Sequence, residues 1–185
     1  MNRSDESIGW AYIQMRVMKK EDLRTEFISQ LETNQDIIHK ICHLYADSKE
    51  ERKDLKQDII YQLWKSYASF RKQAKFTTWM YRVALNTALL NLRSKKNTND
   101  TVALEQRHEL IPDNPNGEAE HKVQMLYRAI GRLKEMDRAL IFLYLERCSY
   151  QKISEIMGIS EKNVSVRLTR IRENLRTSLT EKSKI

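Results

Sequence analysis

Residues 149–175 read SYQKISEIMGISEKNVSVRLTRIRENL and carry the clearest local signal in the chain. Ser149 stands where a hydroxyl can accept from an orphaned backbone N–H and so cap a short helix, whose inner face is Ile153, Ile156 and Met157. Gly158 then supplies the residue type that most readily takes the left-handed turn conformation, and Ser160 can cap a second helix. In that second helix Val164, Leu168, Ile171 and Leu175 recur at helical spacing and point inward. Its outer face carries Lys162, Asn163, Ser165, Thr169, Arg170, Arg172 and Arg176. A short helix, a glycine turn and a second helix with basic and small polar residues outside form a helix-turn-helix, which lays its second helix in the major groove of duplex DNA. An ordinary packed corner between two helices would explain the glycine but not that outer face.

Immediately upstream, Leu126, Ala129, Ile130 and Leu133 outline one helix, and Ala139, Leu140, Phe142, Leu143 and Tyr144 a second that is apolar nearly all round. The second is the expected centre of this C-terminal domain, taken as residues 122–180. Before it, residues 97–121 hold both prolines, one of the four glycines and a net charge of −5, and read as an acidic linker. Residues 1–96 carry +6 and residues 122–185 carry +7, so two basic segments flank an acidic one. The chain of 185 residues has length for two small domains, and its four Gly and two Pro disfavour a turn-rich β fold and any Gly-rich phosphate cradle. The expected class is all-α.

The N-terminal domain, residues 21–96, is read as four helices after a 20-residue extension that has no clear assignment. Leu23, Phe27 and Leu31 mark the first, from about Asp22 to Leu31. Ile37, Ile38, Ile41, Cys42 and Tyr45 mark the second, which fades at Asp47-Ser48. Leu55, Ile59, Leu63 and Tyr67 mark the third, which exposes Asp54, Gln57 and Asp58 on its early face. The fourth, from about Lys75 to Lys96, has two stripes. Phe76, Trp79, Met80, Val83, Thr87 and Leu90 are expected to face inward. Lys75, Thr78, Arg82, Asn86 and Arg93 share another face that one apolar residue, Leu89, interrupts. No acid occurs between Asp58 and Asp100, although Lys65, Arg71, Lys72, Lys75, Arg82, Arg93, Lys95 and Lys96 fall in that interval. A solvated helix normally mixes signs through i,i+4 pairs, so this uncompensated positive field fits contact with a polyanion. The flanking aromatics Phe70, Phe76, Trp79 and Tyr81 suit stacking on unpaired bases, although Phe76 and Trp79 also suit a core.

Other chemistries find little support. Cys42 and Cys148 each lie in an apolar pattern and are read as small buried hydrophobes rather than a disulfide. His39 and His43 share a helical face, but a zinc peptidase would need Glu where Lys40 stands, so no metal and no cofactor is expected. Asp54 and Asp58 lack a third carboxylate and have Lys53 and Lys56 beside them, which argues against a metal-dependent nuclease. No apolar run approaches a membrane span and MNRSDESIGW has no apolar secretory core, so a cytoplasmic protein without direct membrane binding is expected. The general alternative is a helix-turn-helix regulator that works on duplex DNA without polymerase, its N-terminal domain sensing a ligand or dimerising.

Two blocks together narrow this reading. DLKQDIIYQLWKSYASFRKQAKFTTWMYRVALNTALLNLR (54–93) resembles the second conserved region of the bacterial sigma-70 family, in its small extracytoplasmic-function branch. The 149–175 stretch resembles region four of the same branch, and LWKSYASF, KFTTWMYRVALNTA and SEKNVSVRLTRI are similar to members from Bacteroidota. The resemblance implies a non-enzymatic promoter-recognition subunit. Its first domain would clamp the coiled coil of the polymerase β′ subunit and open the −10 element; its second would contact the β flap and read the −35 element. It implies Asp54, Leu55, Gln57, Asp58 and Trp64 for polymerase binding, supported by Ile59 and Leu63. For the −10 strand it implies the loop Arg71-Lys72-Gln73-Ala74-Lys75, then Phe76, Thr78, Trp79, Tyr81, Arg82, Asn86 and Arg93. For the −35 element it implies Lys162, Asn163, Ser165, Arg167, Thr169, Arg170 and Arg172, with Arg167 expected at a phosphate from the helix flank. A membrane-anchored anti-sigma factor is a further candidate partner. Two departures stand out. The loop lacks the Gly, acid and Ser that members often carry, and Glu146-Arg147-Cys148 replaces the usual Glu-Gly before region four, removing flexibility.

Overall fold

Eight helices follow one another in the computed structural model, which describes residues 21–70, 74–98, 125–126 and 128–182. The extension 1–20, the loop residues Arg71, Lys72 and Gln73, and the linker beyond residue 98 lie outside the described residues. Helix α1 covers 21–33 and α2 Gln35–Tyr45, and the joint between them is marked by Asn34. Helix α3, Lys49–Tyr67, starts at a capping box: the Ser48 hydroxyl accepts from the Glu51 N–H at 3.1 Å, and the Glu51 carboxylate reaches back to the Ser48 N–H. Glu51 also holds Lys95 of α4 (Phe76–Thr98) at 2.8 Å, and this bond keeps its carboxyl below the ordinary carboxylate range. The same residue therefore starts one helix and ties it to another.

Helices α5 (described at 125–126 and 128–131), α6 (Glu135–Leu145), α7 (Tyr150–Met157) and α8 (Glu161–Lys182) complete the described residues. All regular structure among the described residues is α-helical, as the scarcity of Gly and Pro leads one to expect. Helices α2, α3 and α4 pack on one another, as do α6, α7 and α8, giving two helical clusters. The first buries Ile41, Ile59, Leu63 and Met80 and the second Leu140, Leu143, Ile153, Val164 and Leu168. Cys42 and Cys148 are both buried and unbonded to each other.

The inward stripe of α4 differs from the one expected. Met80 is fully buried, but Tyr81, Ala84, Leu85, Ala88, Leu89 and Leu92 accompany it, while Leu90 is 63% exposed and Val83 and Thr87 are half-buried. The reason is a second packing partner: α4 contacts α2 and α3 on one side and also α6 and α7. Leu89, the apolar residue that interrupts the basic stripe, is buried for this reason.

The turn before α7 holds the one left-handed residue other than glycine among the described residues. Arg147 adopts φ 56°, in the left-handed region where a Cβ crowds the following carbonyl. This is the segment where the resembled family carries glycine. Arg147→Gly is accordingly expected to raise stability by about 0.5–1 kcal/mol, the relief of left-handed strain less the entropy that glycine adds to the unfolded chain. Urea denaturation checks it, and an unchanged or lower midpoint would show that the turn stores no strain.

Candidate nucleic-acid interface

The two helices α7 and α8 and the glycine turn between them are built as their sequence reads. The Ser149 hydroxyl accepts from the Lys152 N–H at 3.1 Å, Gly158 turns at φ 67°, and the Ser160 hydroxyl accepts from the Asn163 N–H at 3.3 Å. A further bond closes the turn: the Ser154 hydroxyl donates to the Ile159 carbonyl at 2.6 Å. Val164, Leu168, Ile171 and Leu175 of α8 are buried. This leaves Lys162, Asn163, Thr169, Arg170 and Arg172 exposed, with Ser165 half-buried among them. Arg172 is steadied by the Tyr144 ring, 5.6 Å from its guanidinium carbon, and by the Leu168 carbonyl.

Arg167, expected at the helix flank, pairs within the protein. Its Nη2 donates to Asp137 Oδ1 at 2.6 Å, with both side chains about one-third exposed or less. The bond runs from α8 to α6, so Arg167 helps to fix the angle of α8. Its position only 60° from the inner stripe is what puts it within reach of α6.

Lys75, just before α4, and Arg82, Asn86 and Arg93 on it are exposed, whereas Thr78 and Tyr81 are each only 6% exposed. Phe76 and Trp79 are half-buried in a chain of rings that runs through the first cluster. Phe70 and Trp79 lie 4.9 Å apart, Phe76 and Trp79 5.4 Å, and Phe27 and Tyr67 5.0 Å. The rings are thus both core and surface. Beside them is a pocket of about 480 Å³ lined by Ser69, Phe70, Ala74, Thr78, Trp79, Arg82 and Glu155. It offers ring faces and a cation, the two elements that bind an unpaired base and its phosphate.

Of the residues implied for polymerase binding, Asp54, Gln57 and Asp58 are exposed on α3, Trp64 is half-buried, and Leu55 is 3% exposed in the core. Gln57 and Trp64 line a groove with Glu21, Arg24, Phe27 and Ile28 of α1 and with Ile60 and Tyr61 of α3. Ile28 and Tyr61 are 39% and 59% exposed and escape a reading of inner stripes, because both sit off the buried face of their own helix. The Asp58 carboxylate accepts from Asn91 Nδ2 of α4 at 3.0 Å.

Burial raises the Cys42 thiol to about 11 against the opposing pull of Lys56, and it also raises Cys148, where Lys152 opposes and Glu146 adds to the effect. Tyr81 is likewise pushed up, by burial first and then by the Glu146 carboxylate. Among the described residues no group of histidine, cysteine or carboxylate could hold a metal ion, and no helix is long and apolar enough to cross a membrane.

Residues 31–98 match the family description "Sigma-70 region 2" and residues 123–175 match "Sigma-70, region 4". The chain is 27% identical over 177 residues to the ECF RNA polymerase sigma factor SigW of Bacillus subtilis, covering 89% of this chain and 94% of that protein. It is 30% identical over 132 residues to the ECF RNA polymerase sigma-E factor of Escherichia coli K12, covering 65% of this chain and 69% of that one. In fold it is similar to the sigma factor RpoE of Bartonella quintana, solved in complex with the anti-sigma factor NepR. The TM-score is 0.65 at 20% identity, over 86% of this chain and 98% of that one. With both conserved regions present in order, and with likeness of this extent, the chain belongs to the extracytoplasmic-function branch of the sigma-70 family.

Proposed function

We propose that this protein divides promoter recognition between its two clusters, the first opening the −10 element and the second reading the −35 element as intact duplex. The family function, binding core RNA polymerase and recognising promoters, is common to its members and involves no chemistry of their own. The finer division rests on one observation. The two cationic surfaces differ in kind: aromatic rings flank Lys75 and Arg82, whereas small polar groups flank Arg170. Ring faces suit unpaired bases, and hydroxyls and amides with arginine suit base edges in the major groove.

In this reading residues 21–96 and 122–180 are the two functional domains, and the acidic stretch 97–121 joins them without lying on DNA. Asp54, Gln57, Asp58 and Trp64 contact the β′ coiled coil, with Leu55 supporting them from beneath. Arg71, Lys75, Phe76, Trp79, Arg82, Asn86 and Arg93 take the −10 strand, joined by Thr78 and Tyr81 once these are uncovered. Lys162, Asn163, Ser165, Thr169, Arg170 and Arg172 take the −35 duplex beside the β flap, and Arg167 serves by holding α8 on α6. An anti-sigma partner follows by analogy with the NepR complex, a cytoplasmic location by the polymerase it serves, and a Bacteroidota-like lineage by the wording of the two blocks.

Run-off transcription tests the reading. Core polymerase from a related bacterium, supplemented with this protein, should give discrete transcripts from a genomic fragment library. Transcripts identical to those of core alone would overturn it, and a shift of duplex DNA by the protein without polymerase would favour a stand-alone regulator.

A further inference from the structure

The first five turns of α8 keep their apolar residues on one side, with one exception. Val164, Leu168, Ile171 and Leu175 are buried, whereas Val166 is 48% exposed. At 100° per residue Val166 lies about 170° from the middle of that buried stripe, at the centre of the outer face. Lys162 and Arg170 stand one turn before and after it, Asn163 and Thr169 stand beside it, and all four are exposed. Further along the same side, the Glu173 carboxylate accepts from Arg176 at 2.8 Å and is matched there.

Nothing inside the protein accounts for a valine at this point. Val166 belongs neither to the buried core nor to the residues packed against it. On an exposed helical surface, valine is a poorer helix former than alanine, lysine or glutamate. The exposed Ile28 and Tyr61 share an apolar groove with their neighbours, but Val166 has cations, a hydroxyl and a carboxamide around it. Two methyl groups set alone among such neighbours make too small an apolar surface for a protein partner. They match a single apolar group. In the major groove that group is the C5 methyl of thymine, which stands among the donors and acceptors of the base edges.

We propose that Val166 reads thymine: its methyl groups pack on the C5 methyl of one A·T pair of the −35 element, between the polar contacts of Lys162, Asn163 and Arg170. The inference rests on the assignment of α8 to the −35 duplex made above, and adds to it a residue whose contribution is apolar. Arginine and asparagine sort bases by donors and acceptors, which are the same in thymine and uracil. A valine side chain tells those two apart. Removing one methyl group from water is worth about fourfold in affinity.

The run-off transcripts locate promoters, and their aligned upstream elements should share an A·T pair at a fixed position. Holoenzyme assembled from core polymerase and the full chain is then bound to one such promoter, with each upstream thymine replaced singly by deoxyuridine. The replacement pairs identically and lacks only the methyl group. One replacement should weaken the closed complex about fourfold. Val166→Ala should bind the thymine promoter about fourfold more weakly than the native protein and no longer distinguish it from the deoxyuridine promoter. It removes no core packing and favours the helix, so an unchanged or raised thermal midpoint should accompany it. Arg170→Ala is the comparison: it should weaken binding and keep the preference for thymine. An upstream element without a fixed A·T pair overturns the role of Val166. So does the absence of any sensitive thymine, or a sensitive one that Val166→Ala discriminates as well as the native protein does. In those cases weaker binding by Arg170→Ala still leaves α8 on the duplex. If Arg170→Ala and Val166→Ala both bind the promoter as the native protein does, α8 does not read the upstream element, and both assignments fall together.

Discussion

Reversing two charges on α3, Asp54→Arg together with Asp58→Lys, is expected to abolish binding to core RNA polymerase while leaving helical content unchanged. Both carboxylates are exposed, four residues apart, and next to the apolar groove of Phe27, Ile28, Ile60, Tyr61 and Trp64. Exposed carboxylates beside an apolar groove suit a protein partner better than DNA. Truncating one partner of a buried interfacial charge pair costs about 2–5 kcal/mol, and reversal adds repulsion, so two such changes exceed a thousandfold in affinity. Within the free protein the cost is small. Asp58 loses one bond to Asn91, worth about 1 kcal/mol, and Asp54 makes none of comparable reach. A pull-down with core enzyme, paired with far-ultraviolet circular dichroism, separates the two effects. Normal capture of core by the reversed protein would remove α3 from the polymerase surface.

The second large effect separates the two DNA surfaces by strandedness. Arg170→Ala should weaken recognition of the upstream element by about 1–3 kcal/mol, the worth of a bidentate contact to a base edge. Arg82→Ala or Asn86→Ala should leave the closed promoter complex nearly intact and slow strand opening, which 2-aminopurine in the −10 strand reports directly. Both helices present these residues to solvent, so neither substitution removes core packing. Should Arg82→Ala open promoters at the normal rate while Arg170→Ala does not, the two roles belong to the opposite domains.

What the sequence reveals here depends on how local the cause is. The turn between α7 and α8 is legible to the residue, because Ser149, Gly158 and Ser160 each act within a few positions of themselves. The buried positions of α2, α3 and α8 follow from their periodicity, since each of those helices has one dominant buried face. Helix α4 departs from its expected stripe because it serves two neighbours, and nothing in a single-helix pattern announces the second. The bond of Arg167 to Asp137 of another helix, thirty residues away, is not visible in the pattern of its own helix. Arg138 gave no signal at all, since its acceptors are backbone carbonyls and the sequence does not mark them. The groove residues of α1 were missed for a related reason: Ile28 matters because it lies off the buried stripe.

The two cysteines give the molecule a pair of internal clocks. Alkylation needs a thiolate, and in each case burial holds the thiol protonated and out of reach, so reagent can act only during moments of exposure. The two report on different moments. Cys42 sits among Ile38 and Ile41 in the first core and becomes reactive when that core opens. Cys148 lies one residue after the left-handed Arg147 and within the field of Glu146 and Lys152, both of which touch Tyr81 of α4. Its labelling rate therefore follows openings of the second cluster, and the ratio of the two rates distinguishes a local excursion from global unfolding without any engineered probe.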